Sequence, residues 1–297
     1  MTHISWTNLL FIVGAHLLGL AAIAWVAWVY TSPWTIGLGC LWFALCGLAI
    51  TGGYHRLFAH PTYRASRVLR AFYLLFGAAS VQNSALKWAA DHRTHHARTD
   101  REQDPYNIRR GFWWAHIGWV FFQDPEKGPV SNVKDLAADP LLRWQDRYYV
   151  LLAIVVAGVV PLLLGSVWGD ALGALLVAGF LRLVLQWHAT FAVNSFAHWI
   201  GHQPYSRSSS ARDSFWTALI TLGEGYHNFL HRFQSDYRNG VRWYHFDPTK
   251  WFVWSLEKLG LTWDLRRTPA TVILEARAAV LAEARAQASR PGGRLRG

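Results

Sequence analysis

Four apolar runs constrain the fold of this chain more than any other feature of its 297 residues. They lie at about residues 9–30, 34–53, 149–167 and 171–193. Each approaches the length of about 20 apolar residues that a helix needs to span a bilayer. Only Thr31-Ser-Pro33 separates the first two runs, and a short turn at Gly169-Asp170 separates the last two. The sequence therefore predicts an all-α membrane protein with four transmembrane helices in two hairpins.

The distribution of basic residues predicts how the chain is oriented. Of its 29 Lys and Arg residues, 14 lie in 54–147 and 14 in 193–297, and neither hairpin turn contains one. Cytoplasmic segments carry this excess of positive charge, so we expect both termini and the segments 54–147 and 194–288 in the cytoplasm. We expect one integral-membrane domain over 1–297, with a disordered basic tail at 289–297.

The chain has a net charge of +11, and its basic residues flank the predicted membrane spans. Basic residues that flank spans attract anionic lipid headgroups or an acidic protein. We therefore expect contacts with the membrane and with an acidic partner, and none with nucleic acid. Arg182 and Gln186 lie one turn apart inside the fourth run, where polar residues indicate either a buried pairing or a role toward a substrate.

Eight of the fourteen histidines fall into four short clusters. The clusters are His55-Arg-Leu-Phe-Ala-His60, His92-Arg-Thr-His95-His96, Asn194-Ser-Phe-Ala-His198 and His227-Asn-Phe-Leu-His231. Histidine is the commonest metal ligand, and eight imidazoles exceed the four to six or so ligands that one ion takes. The clusters therefore predict two ions. Ligation by nitrogen favours iron, zinc or copper over magnesium or calcium.

The spacing within the clusters predicts which histidines converge. Residues three and four apart share a face of a helix. This places together His92, His95 and His96, then Asn194 and His198, and then His227 and His231. His55 and His60 are five apart, which does not align them on a regular helix. Because Pro61 follows, we expect His60 where the helix ends.

Around these clusters the chain resembles the Δ9 acyl-CoA (stearoyl-CoA-like) branch of the membrane fatty acid desaturases. The similar segments are Thr51-Gly-Gly-Tyr-His-Arg-Leu-Phe-Ala-His60, Trp88-Ala-Ala-Asp-His-Arg-Thr-His-His96, 104–119, Gly223-Glu-Gly-Tyr-His227 and 235–240, within about 10–265. The resemblance implies a cytosolic helical cap over the four spans, a narrow acyl tunnel and a His-rich diiron centre. It also implies a reaction that uses O2 and two external electrons to introduce a cis double bond at Δ9.

The resemblance carries over to individual residues. It implies that the iron ligands are His55, His60, His92, His95, His96, His198, His227 and His231, with Asn194 binding through a water. Leu230 stands where the family has a further histidine, and Gln234 stands where it commonly has proline. Either that iron position is open, or another histidine such as His245 substitutes. An open position makes a hydroxylase or a 1-alkene-forming fatty acid decarboxylase the alternative function.

The resemblance makes an acyl-CoA the leading candidate for the substrate. A carrier-protein thioester, a lipid-bound chain and a free acid are the alternatives. Candidate headgroup contacts are Lys87, Arg93, Arg109 and Arg110, because guanidinium and ammonium groups bind phosphate and carboxylate. Phe43 and Gly47 lie two to three turns before His55 and are candidates for the deep end of the tunnel.

Electrons would come from a separate ferredoxin, cytochrome b5 or similar reductase system, because the sequence has no HPGG haem motif and no flavin or nucleotide fingerprint. We expect neither haem nor flavin in this chain, and we expect a multi-pass protein of a bacterial inner membrane. A membrane metal transporter is disfavoured, since its ligands would lie near the bilayer midplane between internal repeats.

Overall fold

The computed structural model describes residues 3–29, 31–123 and 132–289, and most of them are helical. The helices are α1 (Trp6–Trp28), α2 (Pro33–Ala59), α3 (Arg67–Ala79), α4 (Ala85–Arg98), α5 (Trp114–Gly118, continued by Trp119–Phe121), α6 (Lys134–Ala137), α7 (Pro140–Arg147), α8 (Tyr149–Val167), α9 (Ala171–Trp199), α10 (Phe215–Ile220), α11 (His227–Arg232), α12 (Pro248–Lys258) and α13 (Ala270–Ala288). Two short antiparallel pairs join β1 (His3–Ile4) to β3 (Phe122–Gln123) and β2 (Arg64–Ala65) to β4 (Thr262–Trp263). Apart from Ser289, the predicted tail at 289–297 lies outside the described residues.

Helices α1, α2, α8 and α9 are long and apolar enough to cross a membrane. The prediction of an all-α membrane protein with four spanning helices is confirmed, and the protein is a multi-pass membrane protein. Helix α2 continues to Ala59 and α9 to Trp199, beyond the predicted ends at residues 53 and 193. The apolar runs stop at those residues, but helical hydrogen bonding does not require apolar side chains and carries on through the histidine clusters.

The two hairpin turns are bonded to each other. Asp170 caps α9 by accepting a hydrogen bond from the Gly173 backbone N–H at 3.1 Å. The other oxygen of its carboxylate accepts from the Ser32 N–H at 3.4 Å and from the Thr35 hydroxyl at 2.6 Å. These bonds hold α2 and α9 side by side where both begin, so their other ends, which carry histidines, also lie together.

Small residues let the spanning helices approach closely. A Cβ added to Gly39 of α2 would lie 2.8 Å from a methyl carbon of Val177 in α9, and one on Gly19 of α1 would lie 3.3 Å from Val184. Close backbone approach at glycine is a common means of packing helices in lipid. Helix α9 is thereby fixed against both α1 and α2.

A buried core joins the end of α2 to the helices outside the membrane spans. Tyr54, Tyr73, Leu74, Leu142 and Val253 are all fully inaccessible to solvent. They come from α2, α3, α7 and α12, so four separate parts of the chain meet there. Side chains in such a close-packed core have little freedom to move. The last turns of α2 are consequently held in place.

Candidate metal centre

The structure brings the eight clustered histidines together in two groups of four. Group A contains His55, His60, His92 and His96, and group B contains His95, His198, His227 and His231. In each group the candidate ligand nitrogens lie within 4.8 Å of one another. Three rings of each group are buried, and the fourth, His96 or His231, is partly exposed.

Helix α4 contributes to both groups. His92 and His96 lie one turn apart and face group A, while His95 between them faces group B. The expectation that all three converge was wrong, because consecutive residues of a helix point about 100° apart and His95 and His96 therefore diverge. The ring centroids of His95 and His96 are 5.3 Å apart, and those of His96 and His231 are 4.2 Å apart. The two groups are therefore neighbours, because one rigid helix divides its histidines between them.

The five-residue spacing of His55 and His60 is accommodated by a widened helix. From Ala49 to Ala59 the hydrogen bonds of α2 follow the i+5 pattern, and the His60 N–H donates to the His55 carbonyl at 3.0 Å. Such turns contain more residues than an α-helical turn and recur at functional sites. The two ring centroids lie 4.9 Å apart, so residues that a regular helix would separate share a face.

The donor atoms of both groups fit metal ions. Several buried nitrogens have no hydrogen-bond partner within the described part of the chain, namely Nε2 of His55, His95 and His198, both ring nitrogens of His96, and Nδ1 of His227. Buried polar atoms usually have a partner. Nε2 of His60 lies 2.9 Å from Nε2 of His92, and the equivalent distance from His227 to His231 is 3.1 Å. Two nitrogens bound at right angles about 2.1 Å from one ion have a separation of about 3 Å.

Carboxylates fix the orientation of two rings. Nδ1 of His95 donates to Asp104 at 2.8 Å, and Nδ1 of His55 donates to Glu224 at 2.8 Å. Each bond selects the tautomer whose Nε2 lone pair is directed into its group. Such partners commonly tune metal-binding histidines. We had not assigned either carboxylate from the sequence, although both lie in the segments that carry the resemblance.

A third ring is oriented through a serine. Nδ1 of His198 donates to the Ser210 hydroxyl at 2.7 Å, and that hydroxyl donates to buried Asp100. The Ser210 backbone N–H also donates to Asp100 at 2.7 Å. No sequence pattern indicated this contact, because Asp100 and Ser210 belong to loops 110 residues apart.

Glu224 also belongs to a buried charged network. Arg56 donates to Glu224 and to Asp247, both at 2.9 Å, and to the Tyr237 carbonyl at 2.9 Å. Burial raises the pKa of Glu224, but the charges and hydrogen bonds of His55 and Arg56 outweigh burial and lower the pKa to about 2. Glu224 is therefore ionised at neutral pH, in the form that accepts the His55 N–H.

Four of the clustered histidines outside the spanning helices are held neutral. Burial, followed by the neighbouring imidazoles, holds the pKa of His92, His96, His227 and His231 well below the usual range of histidine. Metal ions bind the neutral imidazole. The protein thus presents these side chains in the protonation state that ligation requires.

A narrow apolar cavity runs along α2 and α9 to group A. Phe43 and Gly47 both line it, as do His55 and His92. Asn194 also lines the cavity and lies outside both groups of four histidines. The residues selected for the deep end of a tunnel, the candidate water-holding asparagine and two candidate ligands therefore border one space.

The four basic candidates occupy different environments. Arg93 is fully engaged within the protein, where its five N–H groups reach the carbonyls of Phe58, Ala59 and Asn132 and both oxygens of Asp135. No donor remains for a substrate, so Arg93 instead holds α4 against the end of α2. Lys87, Arg109 and Arg110 are exposed, and the Arg110 guanidinium lies over the Trp114 ring at 3.3 Å.

Gly47→Ala is expected to shorten the acyl chain that the resemblance implies as the occupant of this cavity. A Cβ at this position would lie 2.3 Å from a methyl carbon of Leu222, which also lines the cavity. Leu222 must shift, and each displaced methylene of a bound chain costs about 0.8 kcal/mol, or roughly fourfold in preference. Gas chromatography of products would show the ratio of shorter to longer chains rising. Gly37→Ala on the same helix is the control, because no atom lies within 4 Å of its added Cβ; unchanged ratios in Gly47→Ala would contradict the prediction.

Leu230 is buried beside His231. His245 does not replace the missing imidazole, because it lies outside both groups and stacks on Tyr226 with ring centroids 4.7 Å apart. Each group therefore has four histidines within the described residues, and Leu230 supplies no further ligand, because its side chain has no metal-binding atom.

Three histidines outside the groups form a hydrogen-bonded chain. Nδ1 of His116 bonds with the Ser195 hydroxyl at 2.9 Å, and its Nε2 bonds with Nδ1 of His188 at 3.0 Å. Nε2 of His188 bonds with Nε2 of His16 at 3.1 Å, and Nδ1 of His16 donates to the Ile12 carbonyl at 2.7 Å. The chain links α1, α5 and α9, and its three histidines lie outside both groups.

Comparison with known proteins identifies the family. The profile of the fatty acid desaturase family matches residues 31–266. The chain is 42% identical over 272 residues to a probable acyl-CoA desaturase of Schizosaccharomyces pombe, and 39% identical over 283 residues to acyl-CoA desaturase 1 of Saccharomyces cerevisiae. These alignments cover 90% and 92% of the chain but 56% and 54% of the two fungal proteins. The chain thus spans about half the length of these relatives.

A human relative is matched over most of its length. Stearoyl-CoA desaturase 5 of Homo sapiens is 36% identical over 283 residues, which cover 93% of the chain and 85% of that protein. The matched region includes all eight histidines of the two groups, since they lie between residues 55 and 231. The resemblance found in the sequence is confirmed, and the chain belongs to the fatty acid desaturase family.

Proposed function

We propose that the protein is a membrane-bound diiron desaturase that introduces a cis double bond, at Δ9, into a saturated fatty acyl chain. The observation that carries the proposal is an apolar cavity that reaches group A, with group B beside it. In the reaction the chain loses two hydrogens, and O2 takes up these together with two electrons and two protons to give two waters.

The eight histidines of groups A and B are the proposed iron ligands, and Asn194 is proposed to hold a metal-bound water. Bound iron would supply the activation of O2 that breaks unactivated C–H bonds. The protein's own contribution is orientation and exclusion of water. Asp104 and Glu224 fix ring tautomers, while the apolar walls enclose the acyl chain and exclude the water that would allow side reactions.

An acyl-CoA is the proposed substrate, since the fungal relatives are named acyl-CoA desaturases. With Arg93 engaged internally, the candidates for its phosphate contacts are Lys87, Arg109 and Arg110, which are exposed. An external ferredoxin, cytochrome b5 or similar carrier is the proposed electron donor. The basic segments outside the spans support a cytoplasmic site and cytoplasmic termini. The bacterial inner membrane stays a prediction, and the relatives named above are eukaryotic.

Expression in a bacterial host that also supplies a ferredoxin reductase system tests the proposed function. Gas chromatography–mass spectrometry of total lipids is expected to show a monounsaturated acid that the empty host lacks, with its double bond at Δ9. The purified protein should contain about two irons. A protein loaded with iron and supplied with electrons that forms no unsaturated acid from acyl-CoA would refute the proposal.

A hydroxylase or a 1-alkene-forming decarboxylase is the second candidate, and Leu230 is the observation that favours it. A hydroxy acid or terminal alkene in the wild-type products would identify this alternative. Leu230→His is then expected to shift the products toward the unsaturated acid, because the added imidazole restores a family ligand. Leu230→Met, of similar volume, is the control. If the product ratio of Leu230→His equals that of wild type, Leu230 does not determine the outcome.

A further inference from the structure

A second pocket reaches both groups of histidines, and its lining differs in chemistry from that of the apolar cavity. Its walls include His96, His231, Arg101, Arg232 and hydroxyls of the 206–209 loop. We call it the basic pocket. It shares no lining residue with the apolar cavity. A substrate chain bound in the cavity therefore leaves the basic pocket open.

The floor of the basic pocket is made by one histidine from each group. His96 of group A and His231 of group B are the partly exposed members, whereas the other six rings are buried. Their rings stack with centroids 4.2 Å apart and planes inclined by 28°. A molecule that fills this pocket touches candidate ligands of both groups at once.

The rim of the basic pocket is cationic. Arg101 and Arg232 line it and are exposed, and Arg98 and Arg207 are exposed on the same segments of chain. Glu102 is exposed among them. Asp100 is buried and accepts two hydrogen bonds from Ser210, so its charge is directed inward. The rim therefore attracts a negatively charged surface.

We propose that the basic pocket is the docking site of a small acidic electron-carrier protein, which delivers electrons one at a time through the stacked His96–His231 pair. This inference rests on the proposed function, whose reaction consumes two electrons from outside the histidine centre. Electron-transfer complexes bury little area and are transient, so charge complementarity between a cationic rim and an acidic carrier sets their rate of formation. Contact with both groups from one position allows successive electrons to reach either ion.

An acidic [2Fe–2S] ferredoxin is the probe, and binding is measured apart from activity. Oxidised ferredoxin should bind the purified full-length protein in detergent, more weakly as ionic strength rises. Arg101→Glu combined with Arg232→Glu is expected to weaken binding by about tenfold or more. Arg67→Glu is the matched control, because Arg67 is exposed at the first residue of α3 and is not part of the pocket.

Measurements of product formation distinguish a loss of ferredoxin docking from damage to the metal centre. With ferredoxin as donor, the double variant should lose activity in step with binding. After reduction by dithionite, a single turnover with O2 should give the same product in the variant as in wild type, with unchanged iron content. Equal ferredoxin binding by variant and wild type, or an equal loss in Arg67→Glu, would overturn the docking site. No product from wild type in the dithionite turnover would instead refute the proposed function.

Discussion

His95→Ala is expected to abolish the proposed desaturation and to remove about one of the two proposed metal ions. His95 is one of four ligand candidates of group B, its side chain is buried, and Asp104 fixes its ring. Alanine leaves three imidazoles around a space that no other described histidine reaches. Elemental analysis of the purified variant measures the loss of metal, and gas chromatography of products measures the loss of activity.

Two matched variants define the expected range. His202→Ala should keep both metal and activity, because His202 is exposed and its bonds to Asp213 are made by backbone atoms. Asp104→Asn should lower metal affinity by about 10–100-fold, since it weakens the orientation of His95 without removing a ligand. If His95→Ala keeps full metal content and product formation, group B is not a metal site.

Arg56→Leu is expected to cause the largest loss of stability of any single substitution considered. Arg56 is 1% exposed and lies between the carboxylates of Glu224 and Asp247. Removing one member of a buried ionic network leaves uncompensated charge and costs about 3–5 kcal/mol. The apparent Tm of the protein in detergent should fall by roughly 10 °C, and the metal content should fall as well, because Glu224 orients His55.

Arg64→Leu is the control for this substitution. Arg64 pairs with Asp264, but both side chains are largely exposed, at 73% and 61%. Ion pairs of that kind contribute about 0–1 kcal/mol, so the Tm should change little. A Tm for Arg56→Leu equal to that of Arg64→Leu would show that the buried network does not stabilise the fold.

The four spans and the pairs His92–His96 and His227–His231 could be predicted from the sequence, because both depend on local periodicity. Helical spacing wrongly placed His95 with His92 and His96, since His95 belongs to group B. Apolar runs report spans directly, and helical spacing places His92 and His96 on one face. The shared face of His55 and His60 could not be predicted from regular helical spacing, because it depends on a widened helix. We identify no residue pattern that predicts the hydrogen bonds of that helix. The predicted spans in α2 and α9 ended too early, because the last turns of both helices are polar.

Interactions between distant parts of the chain were also beyond the sequence. Arg93 was a candidate headgroup contact because it is basic and lies within a histidine cluster. Its N–H groups instead donate to three backbone carbonyls and to Asp135. Backbone carbonyls exist at every residue, so no motif signals such an arrangement. The chain of His16, His188 and His116 likewise joins residues separated by 172 and 72 positions.

The division of α4 between the groups has a consequence for biosynthesis. Every ligand candidate of group A has been translated by residue 96, whereas group B needs residues up to 231, after the second hairpin. At about 5–20 residues per second, a nascent chain carries the full set of one site for on the order of ten seconds before the other can exist. The direction of translation therefore allows the proposed ion beside the apolar cavity to enter first.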